Sequence, residues 1–233
     1  MSAEIAARLR QRADASRVAG LQRFFKTGPG EYAEGDVFLG VTVPDLRRVC
    51  RECRDAAIPE IVPLLGSAVH EDRLLALLLL VEAFRRGTEQ GRREIYRLYL
   101  ANTKFINNWD LVDSSAPHIV GGWLFTRSRS PLGRLARSSS LWDRRIAIIA
   151  TQFFIRSGEF EETLRIADLL LADHHDLIHK AVGWMLREVG KRNPRVERAW
   201  LETRYPRMPR TMLRYAIEKF PEAERRRYLT GRI

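Results

Sequence analysis

An all-α fold of repeated helical pairs is what this sequence predicts, on three observations. Apolar residues recur at helical spacing along most of the chain, basic residues recur beside apolar runs at a step near 35 residues, and only one short stretch reads as a strand. Leu74, Leu77, Leu78 and Val81 stand at i, i+3, i+4 and i+7, and so do Ile146, Ile149, Ala150 and Phe153. Pro44 and Pro59 mark helix starts, each followed by an acid (Asp45, Glu60) in the first turn. Pro194 follows the end of one periodic run and Pro221 interrupts another. Residues 27–43 hold Gly28, Pro29, Gly30, Gly35 and Gly40, the least helical stretch of the chain. Its end, residues 37–41, has the composition of a strand but nothing to pair with, so an ordered loop is expected. No linker divides the rest. A single domain over residues 1–233 follows, with more than about 60% helix against a base rate of roughly one third.

Charge narrows the partner. Of 233 residues, 45% are hydrophobic and 30% charged, the balance of a globular chain and not of a disordered one. Lys and Arg number 40 against 29 Asp and Glu, a formal net charge of +11, with an isoelectric point near 10.3. That excess favours a polyanion, with nucleic acid ahead of an anionic membrane surface. Residues 1–9 lack the apolar core of a signal peptide, and the longest apolar run, residues 74–81, is too short to span a bilayer. A cytoplasmic, nucleoid-associated location is expected on that ground. Cys50 and Cys53 form a lone C-x-x-C within a predicted helix, and His70, His118, His174, His175 and His179 supply no matching ligand spacing. Two reduced thiols are expected, with no metal and no organic cofactor.

Four segments carry the repeat: Asp72-Arg73-Leu74-Leu75-Ala76, Arg144-Arg145-Ile146-Ala147, His179-Lys180-Ala181-Val182-Gly183 and Leu213-Arg214-Tyr215-Ala216. Arg145 to Lys180 is 35 residues and Lys180 to Arg214 is 34. Arg73 to Arg145 is 72, two steps of 36, with Trp109 at the midpoint. Such a period implies stacked helix pairs, each burying its apolar side against its neighbours, and a HEAT-like helical-repeat solenoid. Equivalent positions of a solenoid line one concave face. Arg73, Trp109, Arg145, Lys180 and Arg214 are therefore expected along a single stripe, which suits the phosphates of duplex DNA. Ion pairs between repeats are the other use for such cations. Asp113 lies one helical turn beyond Trp109, and Trp184 one turn beyond Lys180. An acid among phosphate-binding cations costs affinity, which points to chemistry. A helix-terminal acid beside two core tryptophans is the plainer alternative.

Three segments then carry a resemblance. Asn108-Trp109-Asp110-Leu111-Val112-Asp113, Leu141-Trp142-Asp143-Arg144-Arg145-Ile146-Ala147 and Lys180-Ala181-Val182-Gly183-Trp184-Met185-Leu186-Arg187-Glu188 resemble the AlkD family of DNA alkylation repair glycosylases. Gly40-Val41-Thr42-Val43-Pro44-Asp45-Leu46-Arg47 and Met212-Leu213-Arg214-Tyr215-Ala216-Ile217 extend it toward each end. The resemblance implies a solenoid that holds duplex DNA in its concave face and excises N3- or N7-alkylated purines. It implies that Trp109 and Trp184 are the aromatic pair beside the lesion, Asp113 the catalytic carboxylate and Arg145 a phosphate contact. Lys180, Arg214 and Arg73 of the stripe, with Phe24 and Arg187, complete the expected DNA-binding residues. Phe24 stands where family members can carry a tyrosine, keeping the ring and losing the hydroxyl. Asn108 stands where an aromatic also occurs.

The implied chemistry is coherent. Alkylation at N3 or N7 leaves the purine cationic and a good leaving group, and its departure builds positive charge on the sugar. A carboxylate can stabilise that charge and help place the attacking water. Each tryptophan face attracts a cationic nucleotide by roughly 0.5–2 kcal/mol. The expected function is a monomeric, monofunctional glycosylase of base excision repair. The alternatives are a non-catalytic HEAT-like protein that recognises DNA shape or damage, and a scaffold for an acidic protein.

Overall fold

Helices account for 72% of the chain in a computed structural model that describes residues 2–233. Residues 37–41 are a loop, as expected, and make one isolated parallel bridge between Val37 and Val69. No strand forms among the described residues, and the fold is that of a helical-repeat protein. The chain divides into two compact units, the first ending at Ile119 and the second beginning at Val120.

The first unit holds α1 (Ser2–Arg10), α2 (Ala15–Phe25), α3 (Val43–Glu52), α4 (Ile58–Leu65), α5 (His70–Arg86), α6 (Glu89–Ala101) and α7 (Trp109–Ala116). Local chemistry sets their starts. Thr42 caps α3 by accepting from Asp45 N, with Pro44 in the first turn, and Glu60 folds back onto Ala57 N at 2.9 Å to open α4. Thr88 caps α6 and Asn108 caps α7. The expected one-sided stripe on α5 proves wider. Leu74, Leu75, Leu77, Leu79, Leu80, Val81 and Phe84 are all buried, because α3, α4, α6 and α7 pack around this helix. Cys50 and Cys53 on α3 and at its end are free thiols, and burial pushes the Cys50 thiol up to about 11.

The second unit holds α8 (Gly122–Leu124), α9 (Ser130–Leu135), α10 (Leu141–Ala150), α11 (Gln152–Arg156), α12 (Glu161–Leu169), α13 (Asp176–Arg192), α14 (Pro194–Arg204), α15 (Arg210–Ala216) and α16 (Glu222–Thr230). Its centre is α13, which packs against α10, α12, α14 and α15. At Gly183 a Cβ would run into the Met212 carbonyl and the Tyr215 side chain, so glycine lets α13 and α15 cross closely. The starts of α10, α13 and α15 reproduce the 35- and 34-residue steps read from the sequence.

Hydrogen bonds correct the register of the expected stripe. Arg73 donates to Ser67 O, Arg144 to Ser138 O, and His179 approaches Asp173 O, each reaching the carbonyl six residues back. Arg73 is therefore the counterpart of Arg144 and not of Arg145. Both are fourth residues of their helices. The fifth residues of α5, α7, α10, α13 and α15 are Leu74, Asp113, Arg145, Lys180 and Arg214, while Trp109 is the first residue of α7. Asp113, and not Trp109, shares a register with the cations.

One buried group in the second unit couples stability to pH. Glu197 on α14 is buried with its carboxyl against Gly190 of α13, and its Oε1 has no hydrogen-bond partner. Burial pushes its pKa up to about 8, with the charge of nearby Glu224 adding to the rise and that of Arg198 opposing it. The folded chain thus holds a proton that the unfolded chain releases near 4.5, so stability falls as pH rises from there to about 8. Glu197→Gln is expected to melt higher than wild type at pH 8.5 and level with it near pH 4.5, with each kcal/mol worth about 2–4 °C. Melts at both pH values check this. An equal difference at the two would show that ionisation of Glu197 is not the cause.

Candidate functional site

The first turn of α5 is four consecutive buried polar residues, His70, Glu71, Asp72 and Arg73. Glu71 accepts from Leu39 N, Gly40 N and Val41 N at 2.9–3.2 Å, which pins the end of the glycine-rich stretch. Gly40 itself needs a φ of 80° and lies against the Asp14 carbonyl, where a side chain has no room. Asp72 takes both guanidinium nitrogens of Arg10 and the Ser67 hydroxyl. Arg73 bonds Asp36 at 2.6 Å. His70 bonds Asp36 through Nδ1 at 3.1 Å and Asp110 through Nε2 at 2.8 Å.

Arg73 is only 4% exposed, and both terminal nitrogens of its guanidinium are bonded within the first unit, to Ser67 O and Asp36. Withdrawing Arg73 to contact DNA would leave Asp36 unpaired in the interior, at a cost of about 3–5 kcal/mol by analogy with broken buried pairs, so its geometry favours a structural role.

Over this turn sits an aromatic stack. Phe25 lies parallel to Trp109 (5.4 Å, 17°) and to Phe38 (5.2 Å, 21°), and both Phe25 and Phe38 lie against His70 at 4.8 and 4.7 Å. Phe24 meets Trp109 edge to face at 5.8 Å and is 62% exposed. The sequence singled out Phe24 and Trp109, and the structure brings them together. Trp109 is half-buried at the start of α7, where Asn108 Oδ1 accepts its backbone N–H at 2.8 Å. Asp113 follows one turn later on the same face, also half-buried. This surface offers two aromatic rings and a carboxylate, a combination able to hold a flat cation and to stabilise positive charge beside it.

In the second unit, Lys180 is half-exposed and pairs with Asp176 at 2.6 Å, while Arg214 is exposed. Arg145 is 5% exposed, and its guanidinium donates to Leu177 O at 2.7 Å, tying α10 to α13. Trp184 is half-buried and donates its indole N–H to Glu188 at 3.3 Å. Arg187 pairs with Glu218. Burial pushes Glu188 up, but the bond and charge of Lys191, the Trp184 indole N–H and the charge of Arg187 together outweigh that and hold it below the usual carboxylate range.

His70, Asp36, Asp110 and Phe25 were missed by sequence reasoning. The available signal was four consecutive polar residues directly ahead of the longest apolar run of the sequence, residues 74–81.

A model of the family described as "DNA alkylation repair enzyme" matches residues 5–220. The chain belongs to this family. A solved structure described as a predicted DNA alkylation repair enzyme from Enterococcus faecalis superposes with a TM-score of 0.69 at 15% identity, covering 91% of this chain and 98% of that one. The crystal structure of AlkD2 from Streptococcus mutans does so with a TM-score of 0.56 at 16% identity, covering 89% and 98%. At these identities the likeness is one of fold. No curated protein matches. Family membership assigns the chain to DNA alkylation repair and makes DNA its partner. No helix among the described residues is long and apolar enough to cross a membrane.

The cations divide by exposure. Lys180→Ala and Arg214→Ala are each expected to weaken binding across DNA sequences and to lower the slope of log K against log salt by about one. Arg73→Ala is expected to leave that slope unchanged and to lower the melting temperature. Salt titrations of duplex binding beside thermal melts decide it, and a smaller slope in Arg73→Ala would return that residue to the DNA surface.

Proposed function

We propose that this protein is a monofunctional alkylpurine DNA glycosylase, which hydrolyses the N-glycosidic bond of cationic N3- or N7-alkylated purines in duplex DNA. The observation that carries this reading is Trp109 and Asp113 on one face of α7, with Phe24 edge-on to the indole. An alkylated purine is a flat cation, and aromatic faces attract it by roughly 0.5–2 kcal/mol each. As the C1′–N bond breaks, its electron pair leaves with the purine, which becomes neutral, and positive charge passes to the sugar. The Asp113 carboxylate stabilises that charge, and water adds to C1′ with loss of a proton. Lys180 and Arg214, with Arg187, are the proposed contacts of the phosphate backbone in the second unit; Arg145, 5% exposed, supports them by tying α10 to α13, and Trp184 is the aromatic contribution.

The register strengthens the role of Asp113. It is the acid at a helix position that Arg145, Lys180 and Arg214 fill in α10, α13 and α15. A residue there chosen for phosphate affinity would be a cation.

Asp113→Asn keeps the size and hydrogen bonding of the side chain and removes its charge. The variant is expected to bind duplex DNA as tightly as wild type or slightly more tightly, and to release base at least about 10²-fold more slowly. Single-turnover release of 7-methylguanine and 3-methyladenine from alkylated duplex measures this. Equal rates would remove Asp113 from the chemistry. Absence of release from wild type would favour the non-catalytic DNA-binding reading.

A further inference from the structure

We propose that His70 is a positioning residue of the lesion-binding face, where one imidazolium fixes the glycine-rich loop, Phe25 and the first turn of α7 and so sets Trp109. The proposal rests on the glycosylase reading for its substrate, but its geometry stands in the first unit alone.

His70 is 2% exposed, and both ring nitrogens are committed. Nδ1 donates to Asp36 Oδ2 of the loop and Nε2 to Asp110 Oδ2 of α7. The other oxygen of each carboxylate is also used, Asp36 Oδ1 by Arg73 and Asp110 Oδ1 by the backbone N–H of Leu111. Two acceptors on opposite nitrogens require two donors, so the ring carries both protons. Phe25 and Phe38 lie together against the ring, and Phe25 in turn stacks on Trp109. His70 therefore reaches the indole by two routes, through Asp110 along the backbone of α7 and through Phe25 by ring stacking.

Such a residue has no contact with a lesion, and its effect is on where Trp109 stands. Asp110 adjoins Trp109 in the chain, so a shift of the Asp110 carboxylate turns the start of α7 and moves Trp109 and Asp113 together. Displacement of a positioned group by about 1 Å costs up to about 10²-fold in rate.

Burial and three charged groups set the charge of His70. Burial lowers its pKa, the bonds to Asp110 and Asp36 with the charge of Asp110 outweigh that, and Arg73 opposes them, so that it rises to about 9. Phe25 of α2 and Phe38 of the loop add no charge. The raised pKa means that the clamp is complete below about 9 and is lost as pH rises through that value.

The test uses the full chain with Asp110→Asn and His70→Gln. Asp110→Asn retains a polar group of the same size and removes one of the two charges that hold the imidazolium. It is expected to shift the Trp109 indole N–H resonance, identified from Trp109→Phe. It is also expected to slow single-turnover release of 7-methylguanine by about 10- to 10²-fold at saturating enzyme, with affinity for undamaged duplex unchanged. The alkaline limb of the wild-type rate profile, set by loss of the His70 proton, is expected to move to lower pH in this variant. A merely structural His70 would lower the melting temperature and leave the indole resonance, the saturated rate and the alkaline limb where they are. That result in either folded variant overturns the proposal. If wild type releases no base and the indole resonance still moves, the positioning role holds and the glycosylase reading fails.

Discussion

Four polar side chains in sequence, buried at the start of the helix that carries the longest apolar run, hold the first unit in register. A buried charge is costly unless it is paired and hydrogen-bonded, and here all four groups find partners outside α5, on the glycine-rich loop, α1 and α7. Glu71 holds the backbone of residues 39–41, Asp72 holds Arg10 of α1, Arg73 holds Asp36, and His70 joins Asp36 to Asp110. Because the apolar body of α5 packs against α3, α4, α6 and α7, this turn has little freedom to move. The loop, α1 and the start of α7 are placed relative to it, and the aromatic stack follows from that placement. Removing His70 or Arg73 leaves Asp36 short of a partner in the interior, so these two act together and not as separate contacts.

This arrangement explains why a glycine-rich stretch can sit beside a candidate site without making it loose. Lys26 ends α2 in the left-handed region, and Gly40 brings the chain back under Asp14. Between them Asp36 is fixed from two sides, and Phe38 is stacked on both Phe25 and His70. The segment has few apolar side chains of its own. Its order comes from charge-assisted bonds to α5, which are the stronger class of hydrogen bond in a dry setting.

Much of the architecture was legible in the sequence, since periodicity and proline-marked starts report local structure directly. The steps between α10, α13 and α15 are nearly even, and the repeat was read correctly there. It was misread in the first unit because the steps are uneven. From α5 to α7 the start advances 39 residues, and from α7 to α10 only 32. Their mean is close to 36, which placed Trp109 midway between Arg73 and Arg145 by arithmetic alone. Residues 102–108, with the 3₁₀ turn Thr103–Phe105, absorb the extra length. Capping bonds resolve the register where spacing does not, because Ser67 and Ser138 mark the same point before α5 and α10. The pairing of Phe24 with Trp109 was legible through resemblance. The His70 network was not, since Asp36, His70 and Asp110 come from three segments separated by 34 to 74 residues, and no local pattern links them.

The corrected register changes what a carboxylate at position 113 means. Were Trp109 the counterpart of the cations, Asp113 would be an incidental acid one turn away. As their counterpart it occupies a place that three later helices give to Arg or Lys, in a chain with a formal net charge of +11. Phosphate affinity is a sum over many contacts, so giving up one cation costs a fraction of it, while charge stabilisation at a single sugar depends on one group in one place. The two demands can be met by the same repeat only if one helix departs from the pattern. That helix is α7, and it is also the one whose first turn is tied through Asp110 to the buried imidazole of His70. The departure from the repeat thus falls on a helix whose start is pinned to a buried group, as expected where position matters more than net attraction.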